Sequence, residues 1–115
     1  MSYNKEEYEE LRKKIIFNLK QIYDPEIPVN IYDLGLIYEI DFEEENNYLY
    51  TTIAMTLTSP GCPVADAILS EVKYLTQAVD LVDETTINLT FEPPWNQSMI
   101  SEEGKNILMM EGTFI

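Results

Sequence analysis

The stretch Leu36-Ile37-Tyr38-Glu39-Ile40-Asp41-Phe42 alternates along the chain, with Leu36, Tyr38, Ile40 and Phe42 on one side and Ile37, Glu39 and Asp41 on the other. That period of two belongs to a half-buried β-strand. Tyr48 to Thr58 alternates in the same way, turning Leu49, Ile53, Met55 and Leu57 to one face. The polar connection Glu43 to Asn47 between them predicts an antiparallel hairpin.

On the N-terminal side, Tyr8, Leu11, Ile15, Leu19 and Ile22 recur at intervals of three and four, which predicts an amphipathic helix over Lys5 to Ile22. Pro25 turns Asp24 away from helical angles and Pro28 follows, so Tyr23 to Gly35 is read as an extended loop. A loop of that length invites a functional role. On the C-terminal side, Thr58-Ser59-Pro60-Gly61-Cys62-Pro63 leads into a second helical pattern of Val64, Ile68, Val72, Leu75 and Val79. Pro63 suits a first helical position. A third strand is predicted from Glu84 to Phe91, ended by Pro93-Pro94. Ser101 followed by Glu102 and Glu103 reads as an N-cap with acidic residues at the positive end of a last helix, although Gly104 weakens that helix by about 1 kcal/mol. The order α-β-β-α-β-α predicts one α+β domain over residues 1–115: a small, mainly antiparallel three-stranded sheet with helices on one face.

Composition narrows the function. Seven Lys and Arg against 21 Asp and Glu give a net charge of −14, a field that repels phosphate backbones and anionic lipid surfaces. Nucleic-acid and membrane binding are therefore disfavoured. No apolar run approaches a membrane span or a signal-peptide core, so a cytoplasmic protein is expected. A single cysteine forms no internal disulfide. The absence of histidine removes Ser-His-Asp and Cys-His chemistry and the usual zinc-ligand sets. The four glycines form neither a P-loop nor a dinucleotide fingerprint, so no nucleotide cofactor is expected.

Few side chains are left to carry chemistry. Cys62, between Gly61 and Pro63, stands where a strand gives way to a helix, a position at which the helix dipole lowers a thiol's pKa. The alternative is a small buried hydrophobe in a tight turn. Asp24 and Glu26 flank Pro25 and offer oxygen ligands to a metal, while turn initiation explains the same tripeptide. Thr58 and Ser59 offer hydroxyls to an anion or cap the following helix. Trp95, in a proline-stiffened loop, is either an anchor for a partner or the closure of the core edge. One cysteine cannot hold a cluster that needs about four ligands, so any cluster on this chain would be shared or transient.

Three blocks, Asp24-Pro25-Glu26-Ile27-Pro28-Val29-Asn30-Ile31-Tyr32-Asp33-Leu34-Gly35-Leu36-Ile37-Tyr38, Thr56-Leu57-Thr58-Ser59-Pro60-Gly61-Cys62-Pro63 and Phe91-Glu92-Pro93-Pro94-Trp95, resemble the SufT/PaaD-type iron-sulfur assembly accessory family. Ser101-Glu102-Glu103-Gly104-Lys105 is similar to the family's closing motif. The resemblance implies a non-catalytic helper in iron-sulfur protein maturation, whose partners are assembly proteins and target apoproteins and whose cargo is iron or a transient cluster. It implies one pocket shared by Cys62, Thr58, Ser59, Gly61, Asp24 and Glu26, with Asp33 and Gly35 at the loop's end. Ser59 stands where family members often carry threonine. The chain ends at Ile115 without the cysteine-rich extension of the PaaD branch, so the general SufT-like role is implied and an independent zinc site is not.

Two further readings stand beside this one. In the first, the chain is a docking module working through Trp95 and its acidic surface, with Cys62 structural. In the second, Cys62 is an enzyme nucleophile with Asp24 or Glu26 as base, which the missing histidine and oxyanion motif disfavour. A homodimer would bring two Cys62 thiols into one assembly, and no sequence feature marks its interface.

Overall fold

A computed structural model describes residues 3–24, 27–58 and 65–110. The elements follow the expected order: α1 (Lys5–Leu19), β1 (Ile37–Glu45), β2 (Tyr48–Met55), α2 (Ala65–Gln77), β3 (Glu84–Leu89) and α3 (Glu102–Met110), with a 3-10 turn at Gln97–Met99. Asn4 starts α1 with a capping box: its side chain accepts from the Glu7 amide, and the Glu7 carboxylate accepts from the Asn4 amide. Leu11, Ile15 and Leu19 of α1 are buried, and Ile22 is buried just beyond the helix.

The sheet has the order β1-β2-β3 and its pairing is mixed. β1 and β2 run antiparallel, whereas β3 lies parallel to β2, because α2 carries the chain back across the sheet before β3 begins. The hairpin is tighter than expected. β1 continues through the acidic run to Glu45, and Asn46 and Asn47 alone make the turn, with φ of 51° and 67°. Asparagine tolerates that left-handed region, so the Asn-Asn pair was the signal for a two-residue turn. The run stays extended because Glu43 and Glu45 face water while Glu44 accepts the Tyr8 hydroxyl at 2.5 Å and the Tyr3 amide at 3.2 Å. Partial burial, then the hydrogen bond to Glu44 and its charge, push the Tyr8 phenol up to about 12, so it remains a donor at any neutral pH. Its ring stacks on Phe42, clasping α1 to β1.

Ile40, Leu49, Ile53 and Met55 are buried from the sheet, together with Leu36 just before β1 and Ile68 and Val72 of α2. The opposite sheet face carries Glu39, Asp41, Tyr48, Tyr50 and Glu84, all exposed. The Asn18 side-chain amide donates to the Leu75 carbonyl at 2.9 Å and ties α1 to α2. The alternation predicted for β3 fades along the strand: Thr85 is buried, Ile87 half-buried and Leu89 exposed, because the strand runs out from under α2.

Thr51 and Thr85 are register partners across β2 and β3, both buried, and neither hydroxyl has a hydrogen-bond partner among the described residues. A buried hydroxyl without a partner costs stability that an isosteric methyl does not. Thr85→Val is therefore expected to raise unfolding stability by about 1 kcal/mol in urea titrations, and an unchanged or lower midpoint would refute the assignment.

Candidate functional site

The segment read as an extended loop is a compact, buried structure from Val29 to Leu36. Val29, Ile31, Leu34 and Leu36 are fully buried. Their backbone is paired locally: Leu34 N–H donates to the Asn30 carbonyl, Gly35 N–H to Tyr32 and Leu36 N–H to Ile31, all at 3.0 to 3.1 Å. Asn30 and Asp33 brace one another from inside the turn. The Asn30 side-chain amide donates to Asp33 Oδ2 at 2.8 Å, and its oxygen accepts from the Asp33 N–H at 2.9 Å. Burial drives the segment inward, since apolar residues at 29, 31, 34 and 36 leave too little polar surface for an exposed loop.

Three distant parts of the chain fasten to this turn. The Asp33 carbonyl accepts from the Ser101 amide at 2.7 Å, and Asp33 Oδ1 accepts from the Ser101 hydroxyl at 2.9 Å. Ser101 Oγ in turn accepts from Gly104 N–H at 3.0 Å, so the predicted N-cap of α3 is observed. The Leu34 carbonyl accepts from the Trp95 indole N–H at 2.7 Å. The Leu36 carbonyl accepts from the Thr56 amide at 2.9 Å, carrying the turn onto the continuation of β2. Thr90 N–H donates to the Met55 carbonyl and the Tyr38 hydroxyl to Pro93, which brings in the chain after β3. The Glu92-Pro93 peptide there is cis.

Gly104 has a packing reason that its helix propensity concealed. A Cβ there would lie 2.8 Å from Ile100 Cγ2 and 3.1 Å from the Asp33 carbonyl oxygen. Glycine lets α3 approach the turn.

Of the site residues expected from sequence, Asp24, Asp33, Thr58 and Trp95 fall among the described residues, while Cys62, Glu26, Ser59 and Gly61 lie outside them. Asp33 is buried at the centre of the junction, with both carboxylate oxygens engaged by Asn30 and Ser101. Trp95 is half-buried against the core with its N–H committed to Leu34. Asp24 is buried and its Oδ1 accepts from Ile27 N–H at 3.2 Å. It joins the junction through the backbone, by the Tyr23 to Asn30 bridge and the bond from Ile31 N–H to the Ile22 carbonyl. Thr58 is half-buried at the bend that follows Thr56. Among the described residues, no group of three or more Cys, Asp or Glu side chains is placed to hold a metal ion. Asn30 and the second bond of Ser101 were missed from sequence. Asn30-x-x-Asp33 carried a signal for the first, an Asx-type spacing, whereas the separation of 68 residues from Asp33 to Ser101 gave none for the second.

Comparison with known proteins gives this junction a context. Residues 12–94 match the family described as iron-sulfur cluster assembly protein. The chain is similar to the Fe-S protein maturation auxiliary factor of Porphyromonas gingivalis, 46% identical over 97 residues that cover 84% of this chain and 90% of that one. It is 34% identical over 84 residues to the Fe-S protein maturation auxiliary factor SufT of Staphylococcus aureus, covering 73% of this chain and 92% of that one. A crystal structure of a domain of unknown function (DUF59) from Bacillus anthracis superposes with a TM-score of 0.76 at 38% identity, covering 89% of this chain and 94% of that one.

Proposed function

Because the chain belongs to the family of iron-sulfur cluster assembly proteins, we propose that it serves as an accessory factor in iron-sulfur protein maturation in which Cys62 is the thiolate that handles the cargo. The observation that supports this reading is the junction at Asn30 to Gly35. The blocks around residues 24–38, 56–58, 91–95 and 101–105 are distant in sequence, and hydrogen bonds join all of them there. The second block runs directly into Cys62. Cys62 precedes the first residue of α2 by three positions, where a helix dipole favours a thiolate.

One thiolate supplies one of the roughly four ligands that a cluster takes, so the cargo is held jointly with thiols of an assembly protein or a target apoprotein. Asp24 and Glu26 lie in the loop that leads into the junction and serve as oxygen ligands for iron or tune the thiol. The work is transfer, with no turnover of a small metabolite. A cytoplasmic setting keeps the thiol reduced, and no helix among the described residues is long and apolar enough to cross a membrane.

The test is the activity of a cluster-dependent enzyme such as aconitase in cells lacking this protein, complemented at equal abundance by wild type or Cys62→Ser. Rescue by wild type alone is expected, under high iron demand above all. Equal rescue would make Cys62 structural and favour the docking module, for which Trp95→Phe, keeping the ring's packing but not its N–H, then becomes the informative variant. No defect on deletion would remove the assembly role.

A further inference from the structure

The outer surface of the helical layer carries an arrangement that the junction does not use. Phe17 of α1 is 70% exposed and Tyr74 of α2 is 74% exposed. They stand over two adjoining grooves of about 410 and 560 Å³ that meet at Ala78, one reaching along α1 and the other along α2. Lys13 and Lys14 border the first groove and Lys73 the second.

Three of the chain's seven cationic side chains thus surround two exposed aromatic rings, on a protein of net charge −14. Three carboxylates neighbour them: Asp80 lines the first groove, Glu10 lies 3.6 Å from Lys13, and Glu84 shares a further groove with Lys73, without an ion pair to it. Lys14 and Lys73 form no ion pair among the described residues. The patch also lies toward the end of α2 away from Ala65. Tyr74 and Gln77 lie ~14–18 Å along α2 from Ala65, the end that Cys62 adjoins in sequence.

We propose that this α1–α2 groove is a docking site for an acidic segment of a partner protein, one that places an aromatic or aliphatic side chain between Phe17 and Tyr74 and its carboxylates on Lys14 and Lys73. Charge selects this occupant. A second copy meeting the patch about a two-fold axis would bring one lysine-bearing patch against another. A nucleic-acid strand would bring a long run of phosphates into the field of the whole acidic chain. A short acidic segment can reach Lys14 and Lys73, neither in an ion pair among the described residues, and the two rings supply the apolar anchor. The site leaves the opposite end of α2 free, so a partner can be held while the Cys62 end works on cargo. The docking itself does not depend on the role given to Cys62.

The experiment uses the full chain, isotope-labelled for NMR, and a synthetic dodecapeptide of glutamates with two phenylalanines four residues apart. The peptide is expected to shift signals of residues 13–18 and 70–80, and to bind about tenfold more weakly to Lys14→Glu/Lys73→Glu and again to Phe17→Ser/Tyr74→Ser. All four positions are exposed, so circular dichroism should be unchanged in both variants. Binding should also weaken at ~0.5 M salt. Absence of binding, equal binding by the variants, shifts on the sheet face or around Thr58 instead, or equal binding of a peptide with lysine in place of glutamate would each overturn the proposal. A DNA oligonucleotide that binds the patch more tightly than the peptide would replace the protein partner with nucleic acid. A dimer whose interface covers Phe17 and Tyr74 would do the same for a second copy. Aconitase rescue by Cys62→Ser would leave these results untouched, so the two readings fail separately.

Discussion

Replacing Asp33 with alanine is expected to cost about 3–5 kcal/mol of unfolding stability, a large part of what a domain of this size possesses. The substitution removes the acceptor of two short side-chain bonds, from Asn30 at 2.8 Å and Ser101 at 2.9 Å, in a residue only 5% exposed. Bonds to a carboxylate contribute about 1.5–3 kcal/mol each, and the Asn30 amide would be left buried without its partner. Asp33→Asn separates charge from shape. Its amide oxygen can keep the Ser101 bond, but its NH2 would face the Asn30 NH2, so a loss of about 1–2 kcal/mol is expected. Urea titrations of both variants, with an Asp33→Ala/Ser101→Ala cycle, decide the matter. A loss under 1 kcal/mol for Asp33→Ala, or no coupling to Ser101, would mean that the junction holds without its carboxylate.

The second large effect is expected at Gly35, where valine should cost about 4 kcal/mol or more. Two terms act together. The backbone sits at φ +84°, which costs an L-residue about 1–2 kcal/mol and a β-branched one more. A Cβ at this position would also lie 2.9 Å from the Met99 carbonyl carbon and closer still to its oxygen, so the 3-10 turn at Gln97–Met99 must move. That turn is bracketed by Trp95 and Ser101, both bonded to neighbours of Gly35. The displacement therefore strikes the same junction from the opposite side. Gly35→Ala carries both terms in milder form and is expected to cost about 3 kcal/mol. Trp95 fluorescence reports the displacement independently of stability, and an unchanged emission maximum in a folded Gly35→Ala protein would refute the steric account.

Much of this molecule was open to reading along the chain. The helical face of Leu11, Ile15, Leu19 and Ile22 and the inward row Leu49, Ile53, Met55 and Leu57 are buried as their spacing requires. The Ser101 cap of α3 was equally plain. These features are local: period, cap and punctuation act within a few residues, and each has a physical signature of that length. The blocks resembling an iron-sulfur assembly family were legible for the same reason, as contiguous strings, and residues 12–94 match that family.

What lay beyond the linear chain is how those blocks meet. The apolar residues Val29, Ile31, Leu34 and Leu36 call for burial, but the segment taken alone does not say against what, because they become a core only when α3 and the Trp95 segment close over them. The resemblance put Asp33 at the end of a shared pocket, yet its oxygens are taken by Asn30 and by a serine 68 residues away. Gly104 read as a weak point in a helix and is the place where α3 touches the turn. The patterning along the chain thus settled which segments are helices and strands, since those depend on neighbours a few residues apart. The long-range packing settled the parallel placement of β3, the burial of the Asp33 turn and the exposure of Phe17 and Tyr74 together on one patch. Those features depend on contacts between segments far apart in sequence, which form only when the whole core closes.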